Sequence, residues 1–311
     1  MASAGGSAPV QQSAGSGKIL IALAAVAGFA GLGLLAWYVH NLPPKIPFGP
    51  YGDPYASKTD LAEVEHKFPL STANRMALTP ELLKRYDQEQ VDQIYARITA
   101  GPIPDGAYDG DLFFAKGITG KDRLQEIAGG LKGVLAGLEL EKMTLLGRAL
   151  WKGKVFYRGQ RVLRNRIDHL EALQEFFPDP PDAAAFREIT VHGHVDQLYF
   201  PAKLYCGQSL LDSRRESVII DYAFTDELPG YTAIPDKLAG REGLVVRDEI
   251  RMVRPGFYLG RAYAAGSFLL NFTLYNDGIA KAQSGDFQKT GAVAEDCWAG
   301  PQHDASRLNT Q

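Results

Sequence analysis

Alternating apolar and polar residues near the C-terminal end of the chain predict an antiparallel sheet. In the segment 245–276, Val246, Ile250 and Met252 fall on one face of a first strand, because side chains in a strand alternate with period two. Pro255-Gly256 marks the turn to a second strand. The third strand places four apolar residues on one face: Phe268, Leu270, Phe272 and Leu274. This pattern predicts strands that each bury one face.

The same pattern continues upstream. Residues 217–224 alternate with Val218, Ile220 and Tyr222 on one face, and residues 150–157 and 161–167 have the character of two further strands. Several short strands between turn residues are typical of a β-sandwich or a β-barrel. We therefore predict a mainly β fold, with an antiparallel lipocalin-like β-barrel at residues 102–276.

Helical signals flank the predicted barrel on its N-terminal side. Residues 59–101 contain the start signal Thr79-Pro80-Glu81, which combines a capping hydroxyl, a proline at the first position and an acidic first turn. Gly101-Pro102 ends the helical pattern. We expect these helices to pack on the barrel or to close one end of it. Residues 277–311 are polar and are predicted to form a C-terminal tail.

The N-terminal part of the chain has the pattern of a membrane anchor. Residues 1–18 are small and polar and are expected to be disordered. Residues 19–39 form an uncharged apolar run of a length that can cross a bilayer, and a cleavable signal peptide is the alternative. Residues 40–58 are rich in proline and are predicted to be a spacer. The predicted protein is single-pass in the inner membrane, with the large domain in the periplasm and the short tail inside.

Composition narrows the function classes further. The chain of 311 residues has a formal net charge of −3, which gives it no strong attraction to nucleic acid. It contains two cysteines, Cys206 and Cys297. A periplasmic location would allow a disulfide between them, and two free thiols are the alternative.

Short motifs in the predicted barrel resemble a known family. Gly106-Ala107-Tyr108-Asp109-Gly110 resembles a G-x-W-x-G signature with Tyr in place of Trp, and Trp151-Lys152-Gly153-Lys154-Val155-Phe156 is similar to the W-x-G-K-x-F segment that follows it in the GXWXG family. The strand at 247–253 and the segments 259–262 and 268–274 are similar to the final strands of the domain of unknown function that is paired with that family. The resemblance covers about residues 103–276 and implies a lipocalin-like, calycin-type barrel without an assigned activity.

Candidate catalytic chemistry is sparse in this sequence. His192 and His194 form an H-x-H-x-D pattern with Asp196, and two imidazoles on one face of a strand have a spacing that can chelate zinc. The next position of a metallo-hydrolase motif is Gln197 rather than histidine. We therefore predict no metal site and no cofactor, with His192 and His194 as the candidates if a metal is bound.

Many arginines accompany the predicted strands. Arg247 and Arg251 share a strand face with Glu249. Arginine binds carboxylates and phosphates bidentately, so these side chains are candidates for orienting an anionic head group. Pairing with acidic residues in the barrel wall is the alternative.

The pattern favours a binding function over an enzymatic one. An eight-stranded barrel is wide enough to hold one small ligand. We predict the binding or carriage of a hydrophobic molecule such as a lipid, including one with an anionic head group. The predicted ligand-binding residues are Val218, Ile220, Tyr222, Arg247, Arg251, Tyr258, Phe272 and Leu274. The alternatives are a barrel isomerase or hydrolase that uses Asp221, Tyr258 or the His192/His194 pair, and a structural envelope subunit with a filled barrel.

Overall fold

The structure is a computed structural model of the chain. It describes residues 44–51, 59–116, 150–168 and 187–300. The chain divides into two compact units, Met1–Pro44 and Lys45–Gln311. The predicted tail 1–18 and the predicted membrane helix 19–39 lie outside the described residues. Where the structure is described, no helix has both the length and the apolar character needed to cross a membrane.

Nine strands form one antiparallel sheet within the described residues. They are β1 (Gly106–Phe113), β2 (Trp151–Tyr157), β3 (Val162–Ile167), β4 (Arg187–Val191), β5 (His194–Gln208), β6 (Glu216–Asp221), β7 (Val246–Arg254), β8 (Phe257–Ala264) and β9 (Ser267–Tyr275). The strand order is β3-β2-β1-β9-β8-β7-β6-β5-β4, and β3 also pairs with β5. This second pairing closes eight strands into an up-and-down barrel. The predicted mainly β fold and the antiparallel barrel are confirmed.

The remaining strand, β4, lies outside the closed ring. It pairs with the first part of β5, from His194 to Leu198, while β6 pairs with the last part, from Lys203 to Gln208. The long strand β5 therefore pairs with β4 and β6 along one edge and with β3 along the other.

A β-bulge in β9 changes one of the predicted faces. Ala262 pairs with Leu270, but Tyr263 pairs with Phe268, so Leu269 is an extra residue. The extra residue shifts the alternation by one position. Phe268 consequently contacts Tyr263 and Arg261 rather than the interior, whereas Leu270, Phe272 and Leu274 lie in the interior core.

Short helices cover part of the outer surface of the barrel. They are α1 (Leu61–Lys67), α2 (Thr72–Ala77), α3 (Pro80–Leu83) and α4 (Gln88–Ala96). Thr79 caps α3 through its side chain, with Pro80 at the first position, as the sequence predicted. Val91, Ile94 and Tyr95 of α4 share one apolar core with outward-facing residues of β7 and β8. The prediction that the helical segment packs on the barrel is confirmed.

The proline-rich segment differs from the predicted spacer over part of its length. Residues 45–51 pack against α4: the backbone N–H of Gly49 donates to Gln93 at 2.9 Å, and the Gln93 amide donates to the Gly49 carbonyl at 3.1 Å. Ile46 is buried in the same core as the helices. The prolines keep this backbone out of helix and sheet, and these contacts fix it against the helices instead. From Lys45 onward the segment therefore belongs to the domain.

The C-terminal region also differs from the predicted tail. A short helix, α5 (Ala233–Asp236), lies in the connection between β6 and β7, and α6 (Asp277–Thr290) follows β9. Asn276 caps α6, and Phe287 of this helix is buried under the Arg75 guanidinium. Beyond the helix, Cys297 forms a disulfide with Cys206 on β5. The described part of this region, residues 277–300, is therefore part of the folded domain.

Candidate functional site

An apolar cavity lies inside the barrel at the end where β1, β3 and β6 finish. Its volume is about 290 Å³, at the lower end of the range of small-molecule sites, ~300–1,000 Å³. Trp151 and Phe272 form adjoining walls with ring centroids 5.8 Å apart, and Leu238 and Leu244 contribute from the connection between β6 and β7. Four polar side chains are among the lining residues: Lys154, Asn165, Tyr222 and Asp248. The cavity is therefore apolar except for one polar cluster.

Lys154 is the centre of this cluster. Its ammonium Nζ donates to the Asn165 Oδ1 at 2.8 Å, to the Tyr222 hydroxyl at 2.6 Å and to the Asp248 Oδ2 at 2.9 Å. An ammonium group has three donors, so each of them has a partner. The Lys154 and Asp248 side chains are 3% and 7% exposed, which makes them a buried ion pair.

The rest of the cluster fixes the orientation of Asn165. The Trp151 indole N–H donates to the Asn165 Oδ1 at 2.9 Å, and the Asn165 amide donates to the Phe200 carbonyl at 3.1 Å and to the Tyr222 hydroxyl at 2.9 Å. Residues from β2, β3, β5 and β7 thus meet in one network with Tyr222, which directly follows β6. Such a network rigidifies the site when its members are satisfied.

Tyr222 carries the least engaged donor in this network. Its hydroxyl oxygen accepts from Lys154 and Asn165, but the acceptors within reach of its own proton, on Asn165 and Asp248, are both 3.4 Å away. A normal O–H···O bond is ~2.7–2.8 Å long. A ligand with an acceptor oxygen can therefore accept a hydrogen bond from the Tyr222 hydroxyl without displacing a strong hydrogen bond.

Burial decides the protonation of these groups. Removal from water lowers the pKa of the Lys154 ammonium, and the charge and hydrogen bond of Asp248 oppose that shift. Burial raises the pKa of Tyr222 well above its ordinary value, and the nearby Asp248 adds to this. The phenol is consequently a neutral donor at physiological pH. The rings of Trp151 and Phe272 lie 5.3 and 5.4 Å from the ammonium and favour its charged form.

Gly153 allows β2 to present Lys154 to the interior. Its φ of +138° is a conformation that side-chain-bearing residues rarely adopt, and an added Cβ would lie 2.0 Å from the Tyr108 carbonyl oxygen. A register shift between Trp151 and Gly153 accompanies this close approach of β1. The local geometry places both Trp151 and Lys154 in the cavity wall.

The structure places six of the eight predicted ligand-binding residues inside the barrel. Tyr222 and Phe272 line the cavity. Val218, Ile220, Tyr258 and Leu274 belong to the same interior core but fill it away from the cavity. The Tyr258 hydroxyl donates to the Pro102 carbonyl at 2.6 Å, so its polar end already has a partner.

The two predicted arginines lie on the outer side of the barrel. Arg251 is fully buried beneath α4, where its guanidinium donates to the Ser217 hydroxyl at 2.9 Å and to the Asp212 carboxylate at 3.2 Å. Arg247 is partly exposed and pairs with Glu249 at 3.1 Å. Both arginines thus pair with acidic residues, as the alternative interpretation predicted, and the prediction that they orient a ligand in the cavity is wrong. Neither arginine lines the cavity, because both alternate with Asp248 on β7.

The histidines and Asp221 also lie outside the cavity. His192 is on the turn between β4 and β5, 69% exposed, with its Nε2 3.0 Å from the Asp109 carboxylate. Asp221 accepts from the Tyr205 hydroxyl at 2.7 Å on the outer surface. Among the described residues, neither His192 nor His194 belongs to a group of three potential ligands within metal-binding reach. One such group contains Cys206, Cys297 and Glu216, but its cysteines form the disulfide.

Lys154 and Asp248 were missed as site residues, although the pattern contained a signal for Asp248. Lys154 lies two residues before Phe156 on β2, and Asp248 lies between Val246 and Ile250 on β7. Asp248 is therefore a charged residue on an otherwise apolar face. Strict alternation instead puts Lys154 on one face with Lys152, and it is the register shift between Trp151 and Gly153 that accompanies the burial of Lys154 while Lys152 stays exposed. A charge at the position of Asp248 indicates a buried pair, because a charge inside a barrel needs a partner.

Comparison of the chain with protein-family models, with curated proteins and with solved structures finds no match. The motif resemblance to the GXWXG family therefore stays a prediction. The argument for function rests on the geometry of the barrel and its cavity.

Proposed function

We propose that the barrel binds one small, largely apolar molecule, with its polar end against the cluster of Lys154, Asn165, Tyr222 and Asp248. The observation that supports this most strongly is an interior cavity whose lining is apolar apart from that one cluster. Apolar burial supplies affinity at ~25 cal/mol per Å² before the costs of binding, and a few polar groups set orientation. A structural subunit with a completely filled barrel has less support, since side chains leave this space open.

The electrostatics favour an uncharged ligand over an anionic one. The Lys154 charge is already balanced by Asp248 at 2.9 Å, so a carboxylate would have to displace that partner and leave Asp248 buried without compensation. Such a rearrangement costs several kcal/mol, roughly 3–5. A neutral acceptor such as a carbonyl or hydroxyl oxygen needs only a hydrogen bond from the Tyr222 hydroxyl, and the pair of Lys154 and Asp248 stays intact.

The proposal includes carriage of this ligand near a membrane. The uncharged run at residues 19–39 supports an inner-membrane anchor, and the Cys206–Cys297 disulfide supports a periplasmic domain, because disulfides persist in oxidising compartments. The expected result is that full-length protein remains with the membrane fraction and that a deletion of residues 1–39 releases it. Equal distribution of both forms would contradict the anchor.

Binding is tested by fluorescence titration of the full-length protein with N-phenyl-1-naphthylamine, a neutral apolar probe. Ala262 lines the cavity, and Ala262→Phe fills part of it. The matched control is Ala282→Phe at an exposed position of α6. We expect saturable binding to the wild type and to the control, and a loss of at least about tenfold in affinity in the cavity variant, which corresponds to ~1.4 kcal/mol. Equal affinity in all three proteins would contradict a site inside the barrel.

An enzymatic function is the second candidate, because Asp248 is a buried carboxylate inside the cavity. A carboxylate beside an ammonium and a phenol is suited to proton transfer next to a carbonyl group. The test is exchange of the α-hydrogens of a bound ketone in deuterated water. Exchange that depends on Asp248 supports an isomerase, and binding without exchange supports carriage alone.

A further inference from the structure

A lysine amine inside an apolar cavity has a chemistry that goes beyond binding. Lys154 is buried in the wall of the cavity, where it has Asp248 at 2.9 Å and the Tyr222 hydroxyl at 2.6 Å. Lysines in hydrophobic pockets are activated as nucleophiles towards carbonyl compounds. The three groups together are the parts that imine formation needs: an amine, a neutral proton donor and a carboxylate.

We propose that Lys154 captures apolar aldehydes as a protonated imine with Asp248 as its counter-ion. This inference rests on the proposed function, since it names the ligand class of the same cavity. An apolar aldehyde combines a hydrocarbon body, which the cavity wall accommodates, with a single acceptor oxygen.

The steps balance with the groups present. The Lys154 ammonium first passes one proton to Asp248, and the free amine attacks the carbonyl carbon while the Tyr222 hydroxyl donates a hydrogen bond to the carbonyl oxygen. A C–N bond forms, and the former carbonyl oxygen takes one proton from the attacking nitrogen and one from Asp248. The C–O bond then breaks with its electron pair on the oxygen, which leaves as water, and Asp248 is again a carboxylate. Overall, the ammonium and the aldehyde give a protonated imine and one water, with no oxidant, reductant or cofactor consumed.

The surroundings stabilise the product as well as the reactants. The protonated imine keeps a positive charge at the former ammonium position, so Asp248 retains its buried partner. The rings of Trp151, Tyr222 and Phe272, each 5.3–5.4 Å from the nitrogen, favour a cation in either form. Burial lowers the pKa of Lys154, and each unit of lowering gives about tenfold more free amine at neutral pH. Exposed lysines are not desolvated in this way, so a smaller fraction of them is free amine at neutral pH.

The test is reductive trapping on the full-length protein. Protein is incubated with decanal and sodium cyanoborohydride, and the alkylated residues are located by peptide mass spectrometry. Lys281 is the internal control, because its side chain is 77% exposed and it pairs with Asp277 on the surface of α6. We expect Lys154 to be labelled at least about tenfold faster than Lys281, and excess decanol, which cannot form an imine, to block the labelling of Lys154 alone.

Two further measurements make the result decisive. Lys154→Arg keeps the charge but removes the nucleophile, so it should abolish this labelling, and thermal unfolding checks that the variant is folded. The decanol block on the wild type gives the same information if that variant does not fold. Labelling of Lys154 no faster than that of Lys281 overturns the imine. In that case, displacement of N-phenyl-1-naphthylamine by decanol shows that the proposed binding function still holds, and no displacement shows that both proposals fail.

Discussion

Lys154 Nζ lies 2.9 Å from Asp248 Oδ2 inside the barrel, and the two residues are on strands that are not neighbours in the sheet. The pair spans the interior from β2 to β7 and lines the cavity. A buried pair of this kind contributes less to stability than its geometry suggests, because both charges lose their hydration. Its position in the wall of an apolar cavity supports the proposed role in ligand binding.

Replacing one partner of this pair should lower the free energy of unfolding far more than replacing both. Lys154→Met or Asp248→Leu leaves an uncompensated buried charge, with an expected loss of roughly 3–5 kcal/mol in the free energy of unfolding. The double variant should be much less destabilised than the sum of the single changes. Urea denaturation measures all three, and simple additivity would show that the two charges do not interact.

Asp248 should also set the charge preference of the cavity. Wild-type protein is expected to prefer decanol over decanoic acid, measured by displacement of the fluorescent probe. Asp248→Asn frees the Lys154 charge and should reverse the preference by about tenfold or more. Asp221→Asn removes a carboxylate from the outer surface and serves as the matched control. A wild-type preference for the acid, or the same preference in every variant, would refute the electrostatic account.

Gly153 should tolerate no side chain, unlike a neighbouring glycine. Gly153→Ala brings a Cβ against the Tyr108 carbonyl at a φ of +138°, and strained backbone of this kind costs ~1–3 kcal/mol before the clash is counted. Gly159→Ala faces open space in the turn after β2 and should change stability by no more than ~0.5 kcal/mol. Comparable stability of the two variants in urea would contradict the close approach of β1 and β2.

Stability should fall in alkaline solution because buried phenols must stay protonated. Burial raises the pKa values of Tyr222 and Tyr258 well above 10. Their folded pKa exceeds the unfolded one, so this stability is present below pH 10 and is lost as pH rises from 10 to the folded pKa, at ~1.4 kcal/mol per pH unit for each phenol. The lowered pKa of Lys154 acts in the opposite direction, but only below its unfolded value of 10.5.

Urea denaturation between pH 9 and pH 11.5, together with tyrosinate absorbance, measures this dependence. The buried phenols should ionise only as the protein unfolds. Ionisation of every tyrosine near pH 10 in folded protein would show that water reaches the barrel interior.

Strand alternation predicted most of the barrel, because a strand that buries one face has apolar residues at every second position. Val218, Ile220 and Phe272 therefore lie where the pattern indicated. Phe268 does not, because the bulge at Leu269 depends on the pairing of β8 with β9, which a single strand does not encode. The packing of Gly49 on Gln93 was missed for a similar reason, since this contact joins residues 44 positions apart.

The candidate site was only partly predictable. Tyr222 was identified as an interior residue, but Lys154 and Asp248 are 94 residues apart, and their contact depends on the closure of the barrel. The outward position of Arg247 and Arg251 follows from the same alternation that places Asp248 inside. Asp248 thus belongs to the site because it interrupts an apolar face, whereas the interior position of Lys154 depends on a register shift in β2 that alternation does not predict.

Native mass spectrometry of the full-length protein tests the central claim most directly. Wild-type protein, Ala262→Phe and the surface control Ala282→Phe are each mixed with decanol and measured intact. The account predicts a one-to-one adduct on the wild type and on Ala282→Phe, and its loss from Ala262→Phe. No adduct on the wild type, or equal adducts on all three proteins, would contradict the claim that the barrel cavity is a ligand-binding site.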